Sequence, residues 1–237
     1  MTAAALLLTL APLTGCESSQ EKSKRLAKNG SKAFTEKGLV VGSQNADVEV
    51  VSSHVLQDQN GAATIVELRN RSDKPLVNVP ISIDVLGKDK QSVFKNDSPG
   101  LEPSLVSAPL IEPKSEFIWV NDQVTTSAPA ASVDVKVGSA PPKQVADLPK
   151  LDVTDPKLQS DPVSGTEASG SVTNNSKVEQ RQLLVYAVAK RGDKVVAAGR
   201  SKIQRLKPGQ KLFYHVYFIG DPKGAQVTVA APPTVLQ

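Results

Sequence analysis

The chain repeats itself, and that limits its folds more than anything else in it. Asn174-Asn175-Ser176 stands 104 residues after Asn70-Arg71-Ser72. At that offset Val79, Ile81, Ile83 and Val85 fall, without a gap, on Leu183, Val185, Ala187 and Ala189. Asp89-Lys90 falls on Asp193-Lys194. Further along the offset drops by nine to 95, so that Ile111-Glu112-Pro113-Lys114 meets Leu206-Lys207-Pro208-Gly209, and Phe117 and Trp119 meet Leu212 and Tyr214. The difference is a nine-residue insertion in the first copy, placed in Ser98-Pro99-Gly100-Leu101-Glu102-Pro103. Each copy closes on alternating valines (Val133, Val135, Val137; Val227, Val229) and then Ala-Pro-Pro, at 140–142 and 231–233.

Within each copy the apolar period is two. Val79, Ile81, Ile83 and Val85 alternate with Pro80, Ser82 and Asp84, the pattern of a strand with one face in a core and one in water. Pro80 cannot donate to a ladder, so this strand is expected at an edge or a bulge. Aromatic residues are 4% of the chain and 17 prolines are scattered through it, which disfavours a helical bundle and favours short strands between proline turns. The expected class is therefore all-β, with two immunoglobulin-like β-sandwich domains in tandem over 47–137 and 151–233. Gly138 through Lys150 reads as a semi-rigid, proline-rich linker between them. Cys16 is the only cysteine, so no disulfide bridges either sandwich and packing alone holds it.

The run Gly170-Ser171-Val172-Thr173-Asn174-Asn175-Ser176, an apolar strand, Gly192-Asp193-Lys194-Val195-Val196 and then Leu206-Lys207-Pro208-Gly209 resembles the FxLYD-type domains of bacterial envelope proteins. The resemblance spans most of 165–230 and, more faintly, 60–137. It implies immunoglobulin-like sandwiches. Where the family's namesake segment ends in Leu-Tyr-Asp, this chain reads Leu184-Val185-Tyr186-Ala187-Val188-Ala189-Lys190.

The N-terminal stretch carries a second signal. Ala3 to Pro12 is apolar, Leu13-Thr14-Gly15-Cys16 follows, and Glu17-Ser18-Ser19-Gln20-Glu21-Lys22 turns abruptly polar. An apolar core of that length suits a secretion signal and is too short to cross a bilayer. Leu-Thr-Gly-Cys resembles the bacterial lipobox, which implies cleavage after residue 15 and lipidation of Cys16. Two acyl chains on one residue suffice for stable anchoring, at about 0.8 kcal/mol per buried methylene. Residues 16–46 would then be a lipidated cysteine and a polar tether, partly helical over 20–37. The expected location is the bacterial cell envelope, facing out of the cytoplasm, with the membrane as the first partner. A net charge of +4 and a pI near 9.1 do not indicate nucleic acid, because the basic residues are dispersed. The one dense group, Lys22-Ser23-Lys24-Arg25, suits either anionic headgroups or an ordinary solvated helix face.

Signs of catalysis are sparse. The two histidines, His54 and His215, occupy different positions in the repeat, so they are not a duplicated site and are expected to be structural or solvent-facing. The sequence has no Gly-x-Ser-x-Gly elbow, no Walker loop, no dinucleotide fingerprint and no paired-histidine metal spacing. Asn96-Asp97 and Asn121-Asp122 offer hard oxygen ligands without the dense spacing of a calcium loop. No cofactor is expected, and no enzyme activity. Asn70-Arg71-Ser72 and Asn174-Asn175-Ser176 match the glycosylation tripeptide, but their equivalent places after a strand favour a turn role.

One asymmetry between the copies suggests a contact surface. Leu184, Tyr186 and Val188 stand where copy one has Pro80, Ser82 and Asp84, and Phe213, His215 and Tyr217 lie along a second strand of copy two. If these outer faces adjoin, they form a partner-binding patch, since monomers rarely leave such patches bare. Two alternatives compete: a bulge that shifts the strand phase, or copy one packing over the patch. The resulting expectation is a lipid-anchored binding or spacer module that contacts an envelope protein or polymer. The alternatives from other classes are an accessory envelope enzyme and a small-ligand carrier.

Overall fold

The computed structural model describes residues 38–140, 145, 147–161 and 165–236. The leader, Cys16, the expected helix over 20–37 and part of the linker lie outside these residues. Lys37–Gln237 forms one compact unit. Among the described residues the chain is all-β, with antiparallel ladders and a single 3-10 turn.

In the first repeat, β1 (Val48–Asp58), β2 (Gly61–Asn70) and β6 (Glu116–Val124) form a three-stranded sheet in the order β1-β2-β6. A second sheet is centred on β3 (Leu76–Leu86), which pairs with β4 (Ser92–Lys95) and β5 (Ser107–Ile111) on one side and β7 (Ser132–Val137) on the other. The period-two reading of β3 holds: Val79, Ile81, Ile83 and Val85 are buried, while Pro80, Ser82 and Asp84 are only partly covered. Trp119, fully buried on β6, completes this core and donates its indole N–H to the Ser104 carbonyl at 3.0 Å.

The insertion lies between β4 and β5, with the 3-10 turn Pro103–Leu105 inside it. It interrupts the strand that runs beside β3, and the Asn96 side chain fills the gap. Asn96 is fully buried; its Oδ1 accepts from the Ile83 amide and its Nδ2 donates to the Ile81 and Leu105 carbonyls, each at 2.8 Å. One side chain thus makes the bonds that a missing strand residue would have made.

The second repeat runs β8 (Leu151–Val153), β9 (Lys157–Asp161), β10 (Gly165–Asn174), β11 (Gln180–Arg191), β12 (Lys194–Leu206), β13 (Lys211–Tyr217), β14 (Ile219–Gly220) and β15 (Gln226–Ala230). One sheet joins β13, β10 and β8, with β9 also on β10, and the other has the order β14-β12-β11-β15. The uninterrupted β12 replaces the first repeat's β4, insertion and β5.

The repeat extends to single hydrogen bonds. Asn70 and Asn174 are fully buried at the ends of β2 and β10. Asn70 donates to the Lys74 and Ile111 carbonyls and Asn174 to those of Val178 and Leu206, while each Oδ1 accepts from the Ser72 or Ser176 amide. These asparagines are turn locks with their amides in use, which leaves a glycan no access.

The described ladders each join strands of one repeat, so the backbone pairing divides where the sequence repeat divides. Side-chain packing does not divide there. One hydrophobic cluster contains Ile65, Trp119 and Val120 of the first repeat together with Leu184, Tyr186, Val188 and Ala198 of the second. A separate cluster, with Leu183, Val185, Ala187 and Tyr214, is internal to the second repeat. The strand β11 is therefore buried on both faces, one in each cluster. The expected serial arrangement on a linker is replaced by direct packing of one repeat on the other. The end of the expected tether is also fixed: the Asn45 amide donates to the Val137 carbonyl at 2.7 Å, and Gln44 Oε1 accepts from the Val137 amide at 3.0 Å.

Candidate functional site

The six residues expected to form one patch divide into two groups. Leu184, Tyr186 and Val188 are buried. Phe213 and Tyr217 are 75% and 52% exposed, with His215 exposed between them. The physical reason is topological: β11 and β13 belong to different sheets of the second repeat, so their outer faces do not adjoin. The first repeat covers the β11 face, and the β13 face is left open.

The covered face is held by more than apolar contact. Arg200 on β12, directly opposite Tyr186 in the ladder, is 6% exposed at its side chain. Its Nε donates to Asp122 Oδ1 and its Nη1 to Ser104 Oγ, both at 2.7 Å, and Asp122 Oδ2 also accepts from the Arg200 backbone amide at 3.2 Å. Glu102 pairs with Lys202, and Lys190 with Glu67 at 2.7 Å. The Lys202 ammonium holds the Glu102 carboxyl below its ordinary range. Ser104 and Glu102 both come from the insertion, so the segment unique to copy one is part of the lock onto copy two. Phe117 meets Tyr186 edge-on at a ring separation of 5.5 Å. Burial drives the Tyr186 phenol far above its normal range, so it stays neutral, and its hydroxyl has no hydrogen-bond partner. Each large apolar side chain fully buried is worth about 1.5–3 kcal/mol. Leu184, Tyr186 and Val188 together therefore oppose separation of the repeats by about 4.5–9 kcal/mol.

The open face is a grid built by register. Ser171, Ser169 and Glu167 of β10 stand opposite Phe213, His215 and Tyr217 of β13. On its other side β10 places Ser169 and Glu167 opposite Lys157 and Gln159 of β9. Directly opposed residues share a face. His215 Nδ1 lies 3.1 Å from Glu167 Oε1. Hydrogen bonding to the same carboxylate raises the Tyr217 phenol above its usual value. Ser169 Oγ donates to the Lys157 carbonyl at 3.4 Å, so its hydrogen is directed to β9 rather than to His215.

No family model and no curated protein matches this chain.

Two grooves lie along the junction of the repeats. One of about 240 Å³ is lined by Glu102, Ser104, Arg181 and Lys202, with Asn78 and Gln182 at its wall. Those last two are repeat equivalents, and both hold positive φ, at 51° and 52°. The groove's displaced acid, Glu102, is already ion-paired. The other, of about 400 Å³, is bounded by Phe117, Leu151 and the Ala231-Pro232-Pro233 segment.

His54 is half-buried opposite Ile65. Asn96 bonds backbone, Asn121 Oδ1 accepts from the Gln123 amide at 2.9 Å, and Asp122 pairs with Arg200. Among the described residues no three His, Cys, Asp or Glu side chains converge as metal ligands. Arg200, Lys190, Glu67 and the insertion's Glu102 and Ser104 went unrecognised in the sequence, because a single charge on a strand reads as solvated. The available signal was apolar character on both faces of two strands in different repeats, Ala63-Thr64-Ile65-Val66 and Leu183–Ala189.

Proposed function

We propose that this protein is a lipid-anchored contact and spacer module of the bacterial envelope, without catalysis, built from two immunoglobulin-like units fused into one rigid body. The leader and Leu13-Thr14-Gly15-Cys16 support the anchor, and the FxLYD-type resemblance supports the unit. The observation that carries the reading is the division of the two β-sheet faces. One is buried through a shared core and a nearly enclosed Arg200, which fixes the repeats relative to each other. The other, Phe213-His215-Tyr217, is held open on that fixed frame. A rigid body with one open aromatic face suits contact at a set position better than turnover of a substrate.

The experiment has two arms. Cys16→Ser should move the protein from the membrane to the soluble fraction; unchanged membrane retention refutes the anchor. A photo-cross-linking side chain placed at Phe213 should give discrete adducts in intact envelopes, while one at Ser82, on the polar face of β3, should give none. Equal labelling from the two positions refutes the β13 face as the contact site.

A further inference from the structure

The two copies treat the same sheet edge differently. Val133 and Val135 of β7 stand opposite Val85 and Ile83, and Val227 and Val229 of β15 stand opposite their repeat equivalents, Ala189 and Ala187. The two strands are therefore equivalent edges. On β7 the outward groups are taken up by the chain's own earlier segment. The Asn45 amide bonds the Val137 carbonyl, Gln44 Oε1 the Val137 amide, and Ser53 Oγ the Val133 carbonyl at 3.3 Å. Gln57 bonds the backbone of Ala128 and Ala130 just before the strand. Outward backbone groups recur at every second residue of a strand, so on β15 they belong to Val227 and Val229.

The counterparts of Ser53 and Gln57 leave β15 unclosed. Ser53 pairs with Val66 and Gln57 with Ala62, whose repeat equivalents are Gly170 and Thr166. Opposite Thr166 stands Ser160, whose hydroxyl is engaged with Thr166 Oγ1 at 3.0 Å. Beside Gly170, one residue before β9, the chain has Pro156, which carries no hydroxyl. Among the described residues no hydrogen bond reaches the outward groups of Val227 and Val229. Gln226, Thr228 and Ala230 are exposed. The strand also lacks the charges that guard edges against pairing, which β9 and β13 carry at Lys157 and Lys211. Unpaired donors and acceptors along an uncharged edge are matched by another extended strand.

A second copy supplies that strand, because Val227-Thr228-Val229 reads the same in both directions. A twofold axis at Thr228 sets Val227 of one molecule opposite Val229 of the other, where each donates its amide and accepts at its carbonyl. The two threonines face each other, a favourable cross-strand pair. Val227 and Val229, half-buried against the second repeat's core, meet their mates on that same side. Pro222 and Pro232-Pro233 bound the ladder. The far edge of the sheet, β14, is already held, since the Gly220 amide donates to Asp58 Oδ2 at 2.8 Å. With one edge free the pairing closes as a dimer and does not propagate.

We propose that β15 is a homodimer interface, at which a second copy of this chain adds its own β15 antiparallel about a twofold axis at Thr228. The interface uses no residue of the β13 face, so its failure leaves the contact reading above standing.

The test is sedimentation-equilibrium mass measurement of the full chain carrying Cys16→Ser, from low micromolar to hundreds of micromolar. A monomer–dimer equilibrium is expected. Thr228→Lys and Thr228→Glu should each weaken it about fivefold or more, because the axis sets like charges directly opposite. An equal mixture of the two variants should dimerise more tightly than either alone. Val229→Pro removes an outward amide while sparing the β11 ladder, a change that edge strands tolerate, and should weaken the dimer about tenfold or more. Thermal melting of each variant checks the fold. A protein that stays monomeric throughout overturns the proposal, as does a dimer indifferent to Thr228→Lys and Val229→Pro. A mixture no tighter than its components overturns the twofold register and the proposal with it. A monomer whose photo-cross-linking side chain at Thr228 captures another protein in envelopes overturns the second copy as the occupant of this edge.

Discussion

Replacing Asp122 with alanine should destabilise the protein more than removing the arginine it binds. Arg200 is 6% exposed at its side chain and Asp122 is 20% exposed. In Asp122→Ala the guanidinium stays buried, with Ser104 Oγ as its near acceptor and Glu102 at 3.9 Å. Breaking a buried pair by deleting one partner costs about 3–5 kcal/mol, chiefly from the charge left behind. Water can reach the partly open Asp122 site, so the lower end, about 3 kcal/mol, is expected. Arg200→Met leaves a carboxylate that water can solvate and that still accepts the residue-200 backbone amide, so about 1–2 kcal/mol is expected. Combining the two removes both charges, and the double variant should be more stable than Asp122→Ala alone. Urea unfolding reads this directly. With a slope of about 2 kcal/mol per molar, Asp122→Ala should lower the midpoint by about 1.5 M. The shared core also predicts that the wild type unfolds both repeats in one transition. Additive single effects, or a larger cost for Arg200→Met than for Asp122→Ala, would refute the reasoning.

Three further outcomes follow from particular contacts. Tyr186→Phe removes a buried hydroxyl with no partner, so stability should be unchanged or higher by about 1 kcal/mol; a loss of that size in calorimetry would mean the hydroxyl is bonded. Gly170→Ala places a Cβ against the Tyr214 ring, where the first repeat has Val66 beside Trp119, and should cost about 1–3 kcal/mol by urea titration; a neutral result would mean the ring does not lie over the glycine. Because Lys202 lowers the Glu102 carboxyl, the stability it contributes is full above the unfolded value near 4.3 and lost as pH falls through the lower folded value. Lys202→Met should therefore flatten the acid limb of a melting-temperature profile, and an unchanged limb would remove Glu102 as its source.

Where reasoning from the sequence succeeded, the controlling interactions were local. The alternation in β3, the locks at Asn70 and Asn174 and the site of the insertion are visible because a strand's period, a side chain bonding its own turn and a nine-residue offset change are all written in neighbouring residues. Tyr186 and Tyr217 show the limit. Both looked like members of one surface, yet one is 2% exposed and the other 52%. Each strand's alternation defines two faces but does not say which sheet the strand joins or what lies over the outer one.

The sequence alone determined that the chain is β-rich, that it repeats, and which side chains point into each repeat's own core, because these depend on periodicity and on short-range hydrogen bonding. Only the tertiary structure decided that the first repeat lies on the β11 face, that Arg200 is enclosed by residues of β6 and the insertion, and that Phe213, His215 and Tyr217 remain open. Those outcomes depend on the approach of surfaces about a hundred residues apart, where shape and charge must match across a gap that no local pattern records.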